Sequence, residues 1–238
     1  MNIQIYNNLT ELNATFTDWV QRLLEEQGKL TISLSGGSTP KSLFDYWSEH
    51  HKEDIDWKSI YLFWGDERAV PPTDSESNYL MTKQHLLDNV PIPEENIFRI
   101  KGENDPKEEA KRYSALLEEQ LEMRNGIPTF DIIILGMGDD GHTASIFPHQ
   151  IELWDDKRHC VVGTNPDSGQ QRVTLTGTVI NNAHIVAFLV TGAGKAEKVK
   201  EIIGGDNGNE MQYPAARVEP TDGFLFWFMD QAAAAQLQ

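Results

Sequence analysis

The residues best suited to chemistry stand in one glycine-rich stretch, residues 130–148, which reads FDIIILGMGDDGHTASIFP. Its glycines match the dinucleotide-binding spacing G-x-G-x-x-G at Gly136, Gly138 and Gly141. The residues between them do not suit a dinucleotide, because the carboxylates of Asp139 and Asp140 would repel a pyrophosphate. Such a site also needs an acidic residue about 20 positions on, after the next strand. Asp155 and Asp156 precede that strand, so we reject the dinucleotide interpretation.

The same stretch presents a histidine just after an apolar strand. Asp140, Gly141 and His142 follow the run IIIL, and in open α/β sheets ligands bind outside the carboxyl ends of the strands. Imidazole titrates near pH 6.5, about the physiological range, so a histidine here can act as a general base toward water. Asp140 could orient the ring and stabilise its charge. On this motif alone, a histidine that only hydrogen-bonds within a turn fits the sequence equally well.

A second glycine turn, LSGGSTP at residues 34–40, also follows a strand and opens a helix. Gly36 and Gly37 allow close backbone approach, and Ser35 supplies a hydroxyl. Free amides and the helix dipole make such a turn able to hold an anion. Pro40 stands where a Walker A loop has glycine, so this is not that motif. A capped turn without a ligand remains the alternative.

Three basic residues lie beside turns that follow strands. Arg68 ends the segment WGDER, Arg172 lies in QQRVTLT, and Lys195 follows two glycines in TGAGK. Guanidinium groups suit bidentate contact with phosphate, although surface salt bridging would also explain Arg68. The carboxylates of Asp66 and Glu67 could belong to a metal site only with further ligands at a fixed geometry, which one sequence cannot show.

The composition limits the classes of partner. The 238 residues carry a formal net charge of -17, so the surface repels nucleic acids and anionic membranes. An anionic substrate must therefore meet a local cluster of cations. Cys160, the one cysteine, leaves no internal disulfide and is expected in the core. The chain shows neither a secretory signal pattern nor an apolar run of about 18 residues, so we expect a cytoplasmic protein.

Apolar strands alternate with amphipathic helices along the whole chain, which predicts one α/β domain, residues 1–238, with a mostly parallel sheet. The predicted strands cover residues 3–6, 30–34, 59–68, 97–100, 130–136, 160–162, 172–175, 184–190 and 224–228. The predicted helices cover residues 9–27, 39–50, 78–87, 106–123, 195–203 and a short C-terminal segment from 230. Thr39 is expected to cap the second helix, and residues 204–210 are expected to form a surface loop.

Taken together, five segments resemble the 6-phosphogluconolactonase family, within the wider group that includes glucosamine-6-phosphate deaminase. They occur in the family's order and are LSGGSTP, WGDERAVPPTDSESNY, LGMGDDGHTASIFP, RVTLT and GAGKAEKV. The resemblance implies a Rossmann-like three-layer α/β/α sandwich. It also implies hydrolysis of 6-phosphoglucono-δ-lactone to 6-phosphogluconate in the oxidative pentose phosphate pathway, without a metal or organic cofactor. Its only implied partner is the sugar-phosphate lactone, and it leaves the oligomeric state open.

The resemblance also assigns roles. His142 would be the general base that activates water, with Asp140 beside it. The cations Arg68, Arg172 and Lys195 would hold the 6-phosphate. The remaining substrate-binding positions are Ser35, Gly36, Gly37 and Asp66. Asp139 receives no role, because that position varies in the family.

Two other functions stay open. Glucosamine-6-phosphate deaminases carry GHIAFNEP, whereas this chain has GHTASIFP, so Phe147 replaces the glutamate. An aldose–ketose isomerisation moves a proton between carbon and oxygen, so loss of that carboxylate weighs against a deaminase. A sugar-phosphate sensor without catalytic activity is the third possibility, and the intact Asp140–His142 pair weighs against it.

Overall fold

A computed structural model describes residues 1–205 and 210–237. The strands are β1 (Asn2–Tyr6), β2 (Leu30–Leu34), β3 (Ile60–Trp64), β4 (Asp66–Arg68), β5 (Ile97–Phe98), β6 (Glu122–Arg124), β7 (Ile127–Thr129), β8 (Ile132–Leu135), β9 (Cys160–Thr164), β10 (Gln171–Leu175), β11 (Ile185–Val190) and β12 (Phe224–Asp230). The α-helices are α1 (Leu9–Gln27), α2 (Ser38–His50), α3 (Asn78–Thr82), α4 (Pro106–Gln120), α5 (Gly177–Ile180) and α6 (Ala196–Gly204). A π-helical turn, Lys83–Leu87, continues α3, and short 3-10 turns connect other elements.

The largest sheet has seven strands in the order β1-β12-β11-β8-β2-β3-β5, and every pairing in it is parallel. Its central strands β8 and β11 are buried along their whole length, as continuous apolar runs in a sheet covered on both faces should be. The predicted three-layer α/β/α sandwich with a mostly parallel sheet is confirmed.

A second sheet stands at the carboxyl ends of the main strands. It has three antiparallel strands in the order β4-β10-β9. The sequence predicted one strand over residues 59–68, and this was wrong. The chain leaves the main sheet at Gly65, whose N–H donates to Leu34 O at 2.9 Å and whose carbonyl accepts from Leu175 N at 2.8 Å. Gly65 thereby joins the two sheets, and β4 begins after it.

Three helix predictions also needed correction. Helix α4 ends at Gln120, not near Met123, because Asn125 and Gly126 adopt positive φ and turn β6 back onto β7. Thr39 does not cap α2: Gly37 precedes the helix, and Thr39 Oγ1 instead hydrogen-bonds to Thr191 Oγ1. The C-terminal segment forms turns at residues 231–236 rather than a helix.

The remaining predictions concern the core and the surface. Cys160 is buried as predicted, and burial raises the pKa of its thiol to about 12. The predicted loop at 204–210 lies partly outside the described residues, as does Gln238 at the end of the C-terminal segment. Among the helices that the structure describes, none combines the length and apolar character that a membrane span needs.

Candidate active site

A cavity of about 230 Å³ lies where β2, β3, β8 and β11 end. Eight of the nine predicted site residues line it: Ser35, Gly36, Gly37, Asp66, Arg68, His142, Arg172 and Lys195. The ninth, Asp140, contacts His142. The cavity sits at the carboxyl ends of parallel strands, which is the usual ligand position in such a sheet.

The loop after β8 is folded tightly so that the histidine faces the cavity. Gly138 N donates to His142 O at 2.9 Å, and Gly141 N donates to Gly138 O at 3.1 Å. Gly141 has φ 81°, which favours glycine. A Cβ on Gly138 would lie 2.1 Å from His142 Nδ1 and 2.7 Å from Asp140 Oδ1. The glycines thus make room for the histidine and aspartate side chains.

Those two side chains form a directed pair. His142 Nδ1 lies 2.5 Å from Asp140 Oδ1, and the His142 backbone N–H donates to the same oxygen at 3.1 Å. Burial tends to raise the pKa of the Asp140 carboxyl group, but hydrogen bonding and the charge of His142 outweigh burial and lower that pKa. An ionised carboxylate can only accept, so Nδ1 carries the proton. Nε2 is therefore the nitrogen left able to act as a base.

Phe147 joins this pair to the cations. Its buried ring packs against the His142 ring at 4.6 Å between centroids, and the Arg172 guanidinium lies 5.6 Å from its centroid. The sequence drew attention to Phe147 only as the replacement for a glutamate. Its packing role depends on Arg172, which a local motif cannot reveal.

The two arginines face each other across an antiparallel pair. Arg68 and Arg172 are direct cross-strand neighbours on β4 and β10, a placement that is destabilising for like charges. Burial first, and the charge of Arg68 second, lower the pKa of Arg172. Within residues 1–205 and 210–237, both guanidiniums donate to neutral acceptors: Arg68 Nη1 to the Glu76 carbonyl and Arg172 Nε to Gln170 Oε1. The Arg68 Nε is buried and has no hydrogen-bond partner among the described residues, and two neighbouring guanidiniums can bind an anion.

The third cation is paired. Lys195 Nζ lies 2.5 Å from Asp139 Oδ1, and the Asp139 side chain is 82% exposed. Asp139, which the sequence left without a role, therefore touches one of the three cations at the cavity.

The carboxylates of Asp66 and Glu67 serve different neighbours. Asp66 lines the cavity, whereas Glu67 is buried and accepts from the N–H groups of Arg68, Asn78 and Tyr79 and from the Ser77 hydroxyl. Burial raises the pKa of Glu67 in spite of these hydrogen bonds. Within the described part of the chain, no group of three or more His, Cys, Asp or Glu residues could hold a metal ion.

Two further polar residues at the site escaped the sequence reasoning. Asn78 lines the cavity, and a Cβ on Gly36 would lie 1.9 Å from its Oδ1. Ser145 Oγ lies 2.5 Å from Asp66 Oδ2. Asn78 begins a predicted helix and Ser145 stands three residues after the histidine, but neither carries a spacing signal that points to Asp66.

Comparison with known proteins agrees with this geometry. Residues 7–227 match the family described as glucosamine-6-phosphate isomerases/6-phosphogluconolactonase. A 6-phosphogluconolactonase of Treponema pallidum is 45% identical over 202 residues, 85% of this chain and 84% of that protein. One from Haemophilus influenzae is 47% identical over 209 residues, 87% of each chain.

A solved structure extends the similarity to three dimensions. The 6-phosphogluconolactonase of Trypanosoma brucei is 29% identical and superimposes with a TM-score of 0.86, covering 100% of this chain and 98% of that one. The chain belongs to the glucosamine-6-phosphate isomerase/6-phosphogluconolactonase family, and within it to the 6-phosphogluconolactonase enzymes.

Proposed function

We propose that the protein hydrolyses 6-phosphoglucono-δ-lactone to 6-phosphogluconate, with His142 as the general base. The observation that carries the proposal is that the His142–Asp140 pair lies at one cavity with two arginines that form no ion pair with a carboxylate in the described part of the chain. The first supplies a base and the second an anion site. A phosphorylated lactone needs both.

In the proposed reaction, His142 Nε2 accepts a proton from water while the water oxygen attacks the lactone carbonyl carbon. Asp140 holds the ring through Nδ1 and stabilises the imidazolium that forms. The intermediate then collapses with cleavage of the bond to the ring oxygen. The imidazolium returns its proton to that oxygen, which becomes a hydroxyl, and the new carboxylic acid releases the other water proton to solvent to give the carboxylate.

The oxyanion of the intermediate needs hydrogen-bond donors. The turn at Gly36 and Gly37 lines the cavity at the N-terminus of α2, where helix N–H groups have no partner within the helix. These amides are the proposed donors, and Ser35 with Asp66 is proposed to contact the sugar hydroxyls.

Arg68, Arg172 and Lys195 are proposed to hold the phosphate. Fixing the far end of the substrate orients its carbonyl toward the base, so one histidine can suffice for a reactive ester. The net charge of -17 makes a local cation cluster the means of attracting this anion. The proposed reaction places the enzyme in the oxidative pentose phosphate pathway, and the expected cytoplasmic location stays a prediction.

Deamination of glucosamine 6-phosphate is the second candidate. It is disfavoured at Phe147, which stands where the deaminase motif has a glutamate and whose ring packs between His142 and Arg172. A phenyl ring can neither accept nor return the proton that an isomerisation moves. A sensor without turnover would have no use for the directed His142–Asp140 pair.

The test is the rate of 6-phosphogluconate release from freshly generated lactone, with spontaneous hydrolysis subtracted. Acceleration proportional to enzyme concentration is the expected result. No acceleration over the spontaneous rate would reject the proposal, and ammonia release from glucosamine 6-phosphate would then be measured. Sugar-phosphate binding without either reaction would favour the sensor.

A further inference from the structure

Ser145 forms a buried hydrogen bond with Asp66, which lines the cavity. Ser145 Oγ lies 2.5 Å from Asp66 Oδ2, with Ser145 fully buried and Asp66 4% exposed. Ser145 belongs to the loop that carries His142, while Asp66 begins β4 of the second sheet. The bond therefore connects the loop of the base to the strand of Arg68.

The serine is itself fixed on its other sides. Its N–H lies 3.1 Å from Thr174 Oγ1, and a Cβ on Gly163 would approach Ser145 O to 2.1 Å. Among the described residues, Oδ1 of Asp66 has only a long hydrogen bond, 3.4 Å, from Asn78 Nδ2, which donates at the shorter distance of 3.0 Å to the Asp66 carbonyl. Ser145 is thus the donor that orients the Asp66 carboxylate.

Asp66 keeps acceptor capacity for a ligand. A carboxylate offers about four lone-pair sites, and Asp66 lines the cavity while receiving hydrogen bonds from two side chains. Asp66 and Arg68 are two positions apart on β4, so they share a face and stand about 7 Å apart along the strand. When the phosphate group of a ligand is bound at Arg68, Asp66 faces the part of the ligand that is bonded to that phosphate. A carboxylate repels phosphate oxygens but accepts from hydroxyls.

We propose that Ser145 is a positioning residue, which holds the Asp66 carboxylate where it accepts hydrogen bonds from ligand hydroxyls. The Ser145–Asp66 pair thereby makes the site prefer a polyhydroxylated phosphate ester to phosphate alone. The identity of the ester rests on the proposed function.

The test compares two ligands by titration calorimetry, 6-phosphogluconate and inorganic phosphate. Loss of a hydrogen bond to a charged group predicts that Ser145→Ala weakens 6-phosphogluconate binding about tenfold or more. Binding of inorganic phosphate should stay within about twofold of the parent, because the arginines are unchanged. Ser145→Cys, with a weaker donor of similar size, should fall between the parent and Ser145→Ala.

Thr143→Ala is the matched control. It removes another hydrogen bond of the same loop, from the buried residue Thr143 through its Oγ1 to Gly136 O at 2.8 Å, without touching Asp66. Its ratio of the two affinities should match the parent's. Equal weakening of both ligands in Ser145→Ala, or no weakening of either, would overturn the proposal. If Ser145→Ala fails to fold by circular dichroism, Ser145→Cys decides by the same ratio.

Failure of the proposed function has a separate signature. A parent protein that prefers 6-phosphogluconate to phosphate but opens no lactone would reject the hydrolase and leave the Ser145 inference intact. If the parent hydrolyses the lactone but the Ser145 variants keep its preference for 6-phosphogluconate over phosphate, the hydrolase stands and the Ser145 inference is rejected.

Discussion

The cavity has two charged walls, one that pairs opposite charges and one that brings like charges together. The histidine wall consists of His142 and Asp140, and the arginine wall consists of Arg68 and Arg172. In the first, His142 Nδ1 and the Asp140 carboxylate oxygen Oδ1 lie 2.5 Å apart. In the second, Arg68 and Arg172 are paired residues on neighbouring strands, and burial first and the charge of Arg68 second lower the pKa of Arg172.

The difference distinguishes charged groups that are paired within the protein from charged groups that a bound anion would pair. In the histidine wall, Asp140 keeps the imidazole proton on Nδ1, because its carboxylate accepts the hydrogen bond from that nitrogen. The arginine wall places two like charges on neighbouring strands, and the charges of Asp66, Glu76 and Glu67 counteract but do not reverse the lowering of the Arg172 pKa by burial and by Arg68. A base must be ready before the substrate arrives, whereas an anion site gains affinity from repulsion that the anion removes.

The largest expected effect comes from disturbing the histidine wall without touching its side chains. In Gly138→Ala the new Cβ would lie 2.1 Å from His142 Nδ1 and 2.7 Å from Asp140 Oδ1, so the two side chains must shift from their present geometry. We expect kcat to fall by much of the about 10²- to 10⁴-fold that a general base contributes. Steady-state lactone hydrolysis measures this fall.

Gly194→Ala is the control for that prediction. A Cβ there meets nothing within 4 Å, so kcat should stay within about twofold of the parent. A Gly138→Ala enzyme with the parent's kcat would show that the spacing of His142 and Asp140 does not matter.

The next effect comes from the arginine wall. Arg172→Ala removes one of the two facing guanidiniums, so we expect KM to rise about 10- to 100-fold with a smaller change in kcat. Arg158→Ala, which removes an exposed arginine paired with Asp156, should leave KM unchanged. A fall in kcat at constant KM would contradict the division between the walls.

The arginine wall should also make stability depend on phosphate. An anion that binds only the folded state raises the free energy of unfolding by about 2.7 kcal/mol at 100 times its Kd. Urea unfolding of the parent should therefore shift with inorganic phosphate but not with chloride at equal ionic strength. The shift should shrink in Arg172→Ala, and equal shifts for both anions would refute a specific site.

The smallest expected effect concerns the cation that is paired. Asp139→Asn releases Lys195 from its carboxylate partner. Because exposed ion pairs are weak, we expect KM to fall by no more than about fivefold, with kcat unchanged. A higher KM in Asp139→Asn would mean that Asp139 positions Lys195 for the substrate instead of competing with it.

The sequence predicted those features that depend on short, contiguous stretches of the chain. The apolar runs of β8 and β11 predicted a buried parallel sheet, and the glycine turns after strands predicted the edge at which the site lies. Asn125–Gly126 is also a local hairpin signal, but the helical pattern of α4 obscured it.

Features created by distant parts of the chain escaped prediction. The separation of β4 from β3 depends on pairing with β10, more than 100 residues later. The contact of Ser145 with Asp66 spans 79 positions, and Phe147 gains its role only by lying beside Arg172. The pairing of Lys195 with Asp139 likewise depends on the fold bringing two loops together.

The central claim is that His142 acts as the base. Its most direct test is lactone hydrolysis by His142→Ala beside the parent, with 6-phosphogluconate affinity measured by calorimetry on both. We predict a loss of about 10²- to 10⁴-fold in kcat, with the ligand bound within about threefold of the parent affinity. Equal kcat in the two proteins would contradict the account.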